Sequence, residues 1–179
     1  LLAERIKSEN FLKGSIGIAH TRWATHGGVT LENAHPHQGK YISIVHNGII
    51  ENHRLLKAEL KQSGVKFYSE TDSEVIAHLT EQLWSDDKTP QEVALLLTEK
   101  LEGAYGAVII NTRYPDTLIA IRSGSPMIIG LGIGENFVAS DTFSLLPVTR
   151  KFAYMAEGAI AIVKREKVRL YDAFGNEKS

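Results

Sequence analysis

The amino-acid sequence predicts an α+β fold in which β-sheets pack together and helices cover them. Two observations lead to this prediction: short segments rich in β-branched residues form two groups, and three amphipathic helical segments lie between the groups. A third observation is that strands and helices do not alternate regularly, which disfavours a parallel βαβ arrangement. The length of 179 residues fits one domain, 1–179, and 43% hydrophobic residues supply its core.

Strands and turns are predicted for the first fifty residues. Residues 15–21 and 41–46 are predicted strands, because apolar and β-branched side chains recur there at strand spacing. Residues 33–39 are predicted to form a loop. The pair Asn47-Gly48 is a frequent turn sequence, and we expect it to end the second strand.

Three helices follow in the sequence. The first is predicted over 52–63, where Leu56 and Leu60 lie one turn apart. Thr71-Asp72-Ser73-Glu74 has the spacing of a capping box and predicts the start of the second helix. The third is predicted to begin at Thr89-Pro90-Gln91-Glu92, which combines a capping box with proline at the first helical position.

The last part of the chain is predicted to consist mainly of short strands. Turn signals such as Pro115-Asp116 and Gly124 separate them. One short helix is expected over 141–146. The predicted strands are 104–111, 117–122, 127–131, 136–139, 159–164 and 168–171.

The composition excludes several classes of protein. Twenty basic and 21 acidic residues leave a formal charge of −1, so bulk charge does not bind this chain to nucleic acid or to a membrane surface. No apolar run is long enough to cross a bilayer, and no signal-peptide pattern is present. The absence of cysteine excludes disulfides, thiolate metal sites and a thiol nucleophile within these residues, and we expect a cytoplasmic location.

A segment that leaves the first predicted strand carries groups suited to binding an anion. Arg22 can hold a carboxylate through two parallel hydrogen bonds, and Thr25 and His26 can add donors to the same anion. An exposed arginine followed by a capping threonine is the alternative interpretation. Trp23, between these residues, belongs to a type that is more often part of a core than of a functional site.

Histidine is concentrated in one region, because six of the seven histidines lie between His20 and His53. His35-Pro36-His37 invites a metal assignment. However, two histidines on either side of a proline point in different directions, and no nearby Asp or Cys completes a set of ligands. We therefore predict no metal, and we interpret this segment as a loop whose imidazoles bind backbone groups.

Two further motifs have the chemistry of binding or catalysis. Asn47 and Gly48 can offer a side-chain amide and a backbone N–H to one oxyanion, although a plain turn explains the same pair. In the acidic segment 69–74, Asp72 can hold an ammonium group, although acidic residues in a first helical turn need no ligand. Residues 124–126 and 140–141 are interpreted as a turn and a helix cap, and no phosphate-binding glycine loop is present.

The ordered set of these motifs resembles a known family over nearly the whole chain. It is similar to the glutaminase domain, a glutamine amidotransferase domain of type 2, of the glutamine–fructose-6-phosphate aminotransferases. Trp23-Ala24-Thr25-His26 and the 33–37 loop favour this family over the amidophosphoribosyltransferases and the asparagine synthetases. The resemblance implies the αββα four-layer sandwich of N-terminal-nucleophile (Ntn) hydrolases, without its N-terminal strand. The segments that carry the likeness are 19–27, 33–37, 46–52, 69–74, 122–126 and 139–141.

The resemblance implies an activity that needs no cofactor. L-Glutamine is hydrolysed, and the ammonia converts fructose 6-phosphate to glucosamine 6-phosphate in amino-sugar biosynthesis. Trp23 would gate the path of the ammonia towards a sugar-isomerase domain of the same polypeptide, and His35 would lie near the junction with that domain. The full-length protein would be a homo-oligomer.

The resemblance also implies how the substrate is bound. Arg22, Thr25 and His26 would hold the α-carboxylate of glutamine, and Asp72 would hold its α-ammonium group. Asn47-Gly48 would form the oxyanion hole, which stabilises the negative charge that develops on the amide oxygen.

The nucleophile of this family is a cysteine at the mature N-terminus, and its α-amino group acts as the general base. The sequence contains no cysteine. We therefore expect a partial domain that, by itself, releases no ammonia from glutamine. Two alternatives remain open: a catalytically inactive module that binds glutamine or docks a partner, and a metal-dependent hydrolase built on the histidines.

Overall fold

The computed structural model describes residues 14–22 and 27–178, and two antiparallel sheets organise them. The larger sheet has seven strands, which are β1 (His37–Gln38), β2 (Ile42–Ile50), β3 (Gly103–Asn111), β4 (Thr117–Ser123), β8 (Ile160–Lys164), β9 (Val168–Tyr171) and β10 (Glu177–Lys178). They lie side by side in the order β1-β2-β3-β4-β8-β9-β10. The smaller sheet has the order β6-β5-β7, formed by β5 (Ile128–Leu131), β6 (Asn136–Ala139) and β7 (Lys151–Tyr154).

Three helices cover one face of the larger sheet. They are α1 (His53–Gln62), α2 (Glu74–Leu83) and α3 (Pro90–Lys100). Each helix contributes an apolar side chain to a core shared with the sheet, namely Leu60, Ile76 and Leu97, all at most 1% exposed. Burying one such side chain contributes about 1.5–3 kcal/mol to folding, so this layer holds the helices in place.

A second core lies between the two sheets. Val45 and Val108 of the larger sheet belong to it, as do Ile129 of the smaller sheet and the adjacent Met127 and Met155. The described residues therefore form a helical layer, a large sheet and a small sheet. This architecture confirms the predicted α+β sandwich of two packed antiparallel sheets. None of the described helices is long and apolar enough to cross a membrane.

Three expectations for the first fifty residues are wrong. Residues 15–21 form no strand, because no described strand pairs with them in a ladder. The predicted loop at 33–39 contains the short strand β1. Asn47-Gly48 does not end the second strand, because β3 pairs with β2 as far as Ile50 and places Tyr105 opposite Gly48.

The two predicted capping boxes have different outcomes. The box at Thr89 is confirmed, because its hydroxyl accepts the Glu92 N–H and the Glu92 carboxylate accepts the Thr89 N–H. The box at Thr71 is wrong, since Ser73 is the N-cap of α2 and makes no side-chain cap hydrogen bond. The Thr71 hydroxyl instead lies 3.0 Å from His37 Nε2, so a tertiary contact replaces the local one.

The short helix expected over 141–146 is a pair of turns instead. The N–H groups of Leu145 and Leu146 both bind the carbonyl of Thr142. Turns continue past Pro147, where the N–H groups of Val148 and Thr149 bind the carbonyl of Leu145, but no regular helix forms because proline has no N–H to donate. β7 was not predicted at all, since its four residues are only partly buried or exposed and carry little periodic signal.

Candidate active site

The predicted site residues that the structure describes line one cavity of about 320 Å³. The cavity lies between β2, the segment 71–73 that precedes α2, and the segment 20–22. Arg22, Asn47, Gly48 and Asp72 all form part of its wall. Small-molecule sites commonly have volumes from about 300 Å³ upwards, so the cavity is large enough for a free amino acid.

Three predicted site residues, Trp23, Thr25 and His26, lie outside the described residues. Their implied roles in gating ammonia and binding a carboxylate stay predictions. His35 is described and also lines the cavity, and its place near a domain junction stays a prediction.

A turn at residues 27–28 positions the guanidinium group of Arg22. Nη1 of Arg22 donates to the carbonyl of Gly28 at 2.9 Å, and Nη2 donates to that of Gly27 at 3.3 Å. The Glu70 carboxylate accepts the Gly28 N–H and the side-chain amide of Asn33, both at 3.2 Å. These two hydrogen bonds also lower the pKa of Glu70. A cation is therefore held at the cavity by a turn that is itself fixed.

Asp72 brings a carboxylate to the same cavity. The residue is only 6% exposed, and its Oδ2 accepts the Ile50 N–H at 2.7 Å, at the end of β2. No other hydrogen bond joins this carboxylate to a described residue. Because a buried carboxylate is costly without a partner, this arrangement favours a cationic group as ligand.

Gly48 lets β2 approach β3 more closely than any other residue would. Its φ is +119°, in the region that favours glycine, and an added Cβ would overlap the carbonyl oxygen of Ala104. Asn47, one residue earlier, therefore sits at a fixed point of the sheet. Its Oδ1 lies 2.6 Å from Nε2 of His20.

His46 extends the polar site into the interior. Only 3% of the residue is exposed, and its Nδ1 lies 2.8 Å from the hydroxyl of Ser73. Its Nε2 is buried and makes no hydrogen bond with a described residue. Burial lowers the pKa of His46 to about 4, although the nearby Asp72 carboxylate acts in the opposite direction. Sequence reasoning missed His46 and Ser73, and the only available signal was the local excess of histidine.

Three more imidazoles form a row beside the cavity. The ring centroids of His20 and His35 are 4.2 Å apart, and those of His35 and His37 are 4.8 Å apart. Burial lowers the pKa of His35 to about 3, and the neighbouring imidazoles and Arg22 act in the same direction. Within residues 14–22 and 27–178, no group of three or more His, Cys, Asp or Glu side chains is arranged to hold a metal ion.

Glu74 fixes the segment that carries Asp72. Its carboxylate accepts the N–H of Tyr68 at 2.9 Å, and the N–H and hydroxyl of Ser69 at 2.7 and 2.6 Å. Burial alone would raise the pKa of Glu74, but hydrogen bonds from His78, Ser69 and the backbone outweigh it and lower the pKa to about 2. The carboxylate is thus a structural anchor, and Asp72 remains the one that faces the cavity.

We predict that acid destabilises the protein through His35 and His46. Their pKa values fall from 6.5 to about 3 and about 4 in the folded state. Between pH 6.5 and those values the unfolded chain binds more protons, so stability is lost as the pH falls. Each histidine contributes a slope of about 1.4 kcal/mol per pH unit well below pH 6.5. Urea unfolding at several pH values measures this slope.

A variant tests whether His46 contributes to this pH dependence of the free energy of unfolding. His46→Asn removes one titrating group, so the free energy of unfolding should depend less steeply on pH, by about one bound proton. An NMR titration of the wild-type protein should show both imidazoles neutral down to pH 5. Protonation of either ring near pH 6.5 in the folded protein would contradict the prediction.

A second cavity, of about 440 Å³, adjoins the first and lies between the two sheets. His20, His46 and Asn47 belong to the walls of both cavities. Residues 140–141, interpreted from the sequence as a helix cap, form part of its rim, where the Asp141 carboxylate accepts the Ser144 N–H at 2.9 Å. Asn47 therefore lines both cavities.

A family model for the glutamine amidotransferase domain matches residues 30–147. The chain belongs to the glutamine amidotransferase family, and the resemblance stated from the sequence motifs is confirmed.

Two curated relatives are similar to this chain over most of its length. The chain is 55% identical over 169 residues to the glutamine–fructose-6-phosphate aminotransferase (isomerizing) of Escherichia coli K12. It is 54% identical over 172 residues to the protein of the same description from Idiomarina loihiensis. Both alignments cover 94% of this chain and 28% of the relative. The chain thus spans little more than a quarter of the length of these relatives.

Solved structures share the fold. The glutamine phosphoribosylpyrophosphate amidotransferase of Bacillus subtilis, complexed with ADP and GMP, aligns with a TM-score of 0.69 and 27% identity, over 86% of this chain and 34% of that chain. A glutamine aminotransferase class-II domain protein from Silicibacter pomeroyi aligns with a TM-score of 0.58 over 80% of this chain and 72% of that chain. At 16% identity, this second likeness concerns the fold alone.

Proposed function

We propose that this chain is the glutamine-hydrolysing part of a longer protein that converts fructose 6-phosphate to glucosamine 6-phosphate. The observation that carries the proposal is the convergence of Arg22, Asp72 and Asn47 on one cavity. A cation, an anion and an amide match the α-carboxylate, the α-ammonium group and the side-chain carbonyl of glutamine. The similarity to glutamine–fructose-6-phosphate aminotransferases supports the choice of acceptor sugar.

The substrate is oriented by the two charged groups on its α-carbon. Arg22 binds the α-carboxylate and Asp72 binds the α-ammonium group, so that the side-chain amide extends towards Asn47-Gly48. Arginine holds carboxylates through paired hydrogen bonds, and hydrogen bonds to charged groups are about twice as strong as neutral ones. Thr25, His26 and the gate residue Trp23 would complete this arrangement.

The reaction needs a nucleophile that these 179 residues do not contain, because they include no cysteine. A thiolate adds to the amide carbon of glutamine, and the resulting oxyanion is stabilised by the Asn47 amide and the Gly48 N–H. The C–N bond then breaks, and ammonia leaves with the proton that the α-amino group of the cysteine took from the thiol. Water hydrolyses the thioester, which releases glutamate and regenerates the thiol.

The longer protein would carry the acceptor chemistry. We propose that a sugar-isomerase domain of the same polypeptide receives the ammonia. The chain covers only 28% of the length of its curated relatives, which leaves room for such a domain. We also propose that the full-length protein is a homo-oligomer located in the cytoplasm. The isolated domain by itself is expected to release no ammonia.

The test is ammonia release by the full-length protein. We expect L-glutamine to yield glutamate and ammonia in equal amounts, and fructose 6-phosphate to yield glucosamine 6-phosphate. Asparagine, which is one methylene shorter, is the matched control, because its amide would not reach Asn47 while its two charged groups are bound. Hydrolysis of asparagine at the same rate as glutamine, or of neither, would contradict the proposal.

A second candidate is a module that binds glutamine without hydrolysing it, and the absence of cysteine from these 179 residues favours it. Isothermal titration with glutamine, performed on the same full-length protein, separates the two functions. Binding together with ammonia release supports the enzyme. Binding without any ammonia release supports the module.

A further inference from the structure

The orientation of the Asn47 side chain depends on a histidine that the sequence analysis did not assign. Oδ1 of Asn47 lies 2.6 Å from Nε2 of His20. An amide oxygen only accepts hydrogen bonds, so the His20 nitrogen must be the donor. This contact fixes the oxygen of the amide towards His20. The NH₂ group, Nδ2, is left on the other side.

The Nδ2 group of Asn47 is the part that an oxyanion needs. It makes no hydrogen bond with a described residue, although Asn47 lines both cavities. If the amide turned by 180°, Nδ2 would bind His20 and an oxygen would replace it. An oxygen repels a developing negative charge, so only one of the two orientations forms an oxyanion hole.

His20 is itself held in place by its neighbours. It packs against the ring of His35, which packs against His37, and the latter lies 3.0 Å from the Thr71 hydroxyl. His20 Nδ1 is buried and has no hydrogen-bond partner among the described residues. Among the residues that the structure describes, the ring therefore has one hydrogen-bond partner, which is Asn47.

We propose that His20 is a positioning residue that donates to Asn47 Oδ1 and thereby presents the Asn47 NH₂ group to the oxyanion of the reacting amide. This inference rests on the proposed glutamine hydrolysis and adds to it the device that selects one orientation of the amide. His20 acts through Asn47 and touches no reacting atom. Its loss therefore costs less than the loss of Asn47 itself.

The experiment compares two substitutions of equal size in the full-length protein. His20→Gln keeps an N–H donor near the position of Nε2, whereas His20→Glu offers only acceptors at neutral pH and draws the Asn47 NH₂ group towards itself. We expect His20→Gln to retain most of the kcat for glutamine hydrolysis. We expect His20→Glu and His20→Leu to lower kcat about tenfold with KM changed less than twofold. Gln62→Leu, at an exposed position of α1 outside both cavities, should leave kcat unchanged.

A double substitution separates positioning from a merely structural role. In an Asn47→Ala background, His20→Leu should cause no further loss of kcat, because no amide remains to be oriented. Thermal unfolding midpoints of all variants report any loss of fold. If His20→Leu is unstable, the comparison of His20→Gln with His20→Glu still tests whether His20 positions Asn47. Equal kcat values for His20→Gln and His20→Glu, or an effect on KM alone, would overturn the proposal. Absence of glutamine hydrolysis by the wild-type protein would instead overturn the proposed function.

Discussion

Asn47→Ala is expected to lower the kcat for glutamine hydrolysis by the full-length protein about 10²–10³-fold, with little change in KM. The NH₂ group of Asn47 has no hydrogen-bond partner among the described residues, and Asn47 lines the cavity, so this group can bind the oxygen of the reacting amide. That oxygen carries a full negative charge only in the tetrahedral intermediate and its transition states. Loss of one such donor typically costs this factor in turnover, while ground-state binding is retained.

Asn52→Ala is the matched control for this prediction. Asn52 lies outside both cavities, and its side chain joins the carbonyl of Lys100 and the N–H of Glu102. The same change of side chain there should leave kcat within about twofold, since only a structural contact is lost. Initial rates of ammonia release over a range of glutamine concentrations give kcat and KM separately. An Asn47→Ala enzyme with wild-type turnover would show that Asn47 does not bind the oxyanion.

Asp72→Asn is expected to raise the KM for glutamine about 10- to 100-fold, with a smaller effect on kcat. A hydrogen bond to a charged group contributes about 1.5–3 kcal/mol, and the substituted amide loses the charge that attracts the α-ammonium group. The fold should be retained, because the amide oxygen of asparagine can still accept the Ile50 N–H. The effect therefore falls on substrate binding and not on the position of β2.

A substrate analogue makes this test sharper. Glutaramate is glutamine without its α-amino group, and the wild-type protein should strongly prefer glutamine because Asp72 gains a partner only from glutamine. Asp72→Asn should abolish most of this preference. Asp116→Asn, a change of an exposed carboxylate that pairs with Lys164, is the control and should preserve the preference. A preference for glutamine that survives Asp72→Asn would exclude Asp72 as the ammonium-binding group.

Short sequence motifs predicted those helix ends that are stabilised by neighbouring residues in the sequence. The capping box at Thr89-Pro90 is formed by residues within one helical turn, and α3 begins where the sequence predicted. The box at Thr71 has the same spacing, yet α2 begins later. The difference arises because Thr71 contacts His37, and Glu74 accepts hydrogen bonds from Tyr68 and Ser69. The capping-box spacing does not reveal that Thr71 contacts His37, or that Glu74 binds residues before the helix.

The ends of strands are also hard to predict from short motifs, because they depend on pairing with distant strands. Asn-Gly is a frequent turn sequence at the end of a strand, but here β3 pairs with β2 through both residues. The left-handed φ of Gly48 therefore serves a close approach of two strands instead of a turn. Residues 15–21 have the composition of a strand and lack a partner strand among the described residues.

The charged and amide groups of the candidate site could be chosen from the sequence, because a family resemblance assigned Arg22, Asp72 and Asn47. Their supporting residues could not. His20 and Ser73 become informative only when distances of 2.6 Å to Asn47 Oδ1 and 2.8 Å to His46 Nδ1 are known. Supporting residues of this kind carry no motif, since many side chains can hold a neighbour in place.

The close contact at Gly48 decides where this domain can be redesigned. A library of substitutions at that position would return almost exclusively non-functional clones, because every side chain would collide with the Ala104 carbonyl. Efforts to accept bulkier amides must therefore begin at the rim of the second cavity, where Ser140 and Asp141 are exposed. Gly48 is thus closed to substitution, whereas the exposed rim of the second cavity is open to it.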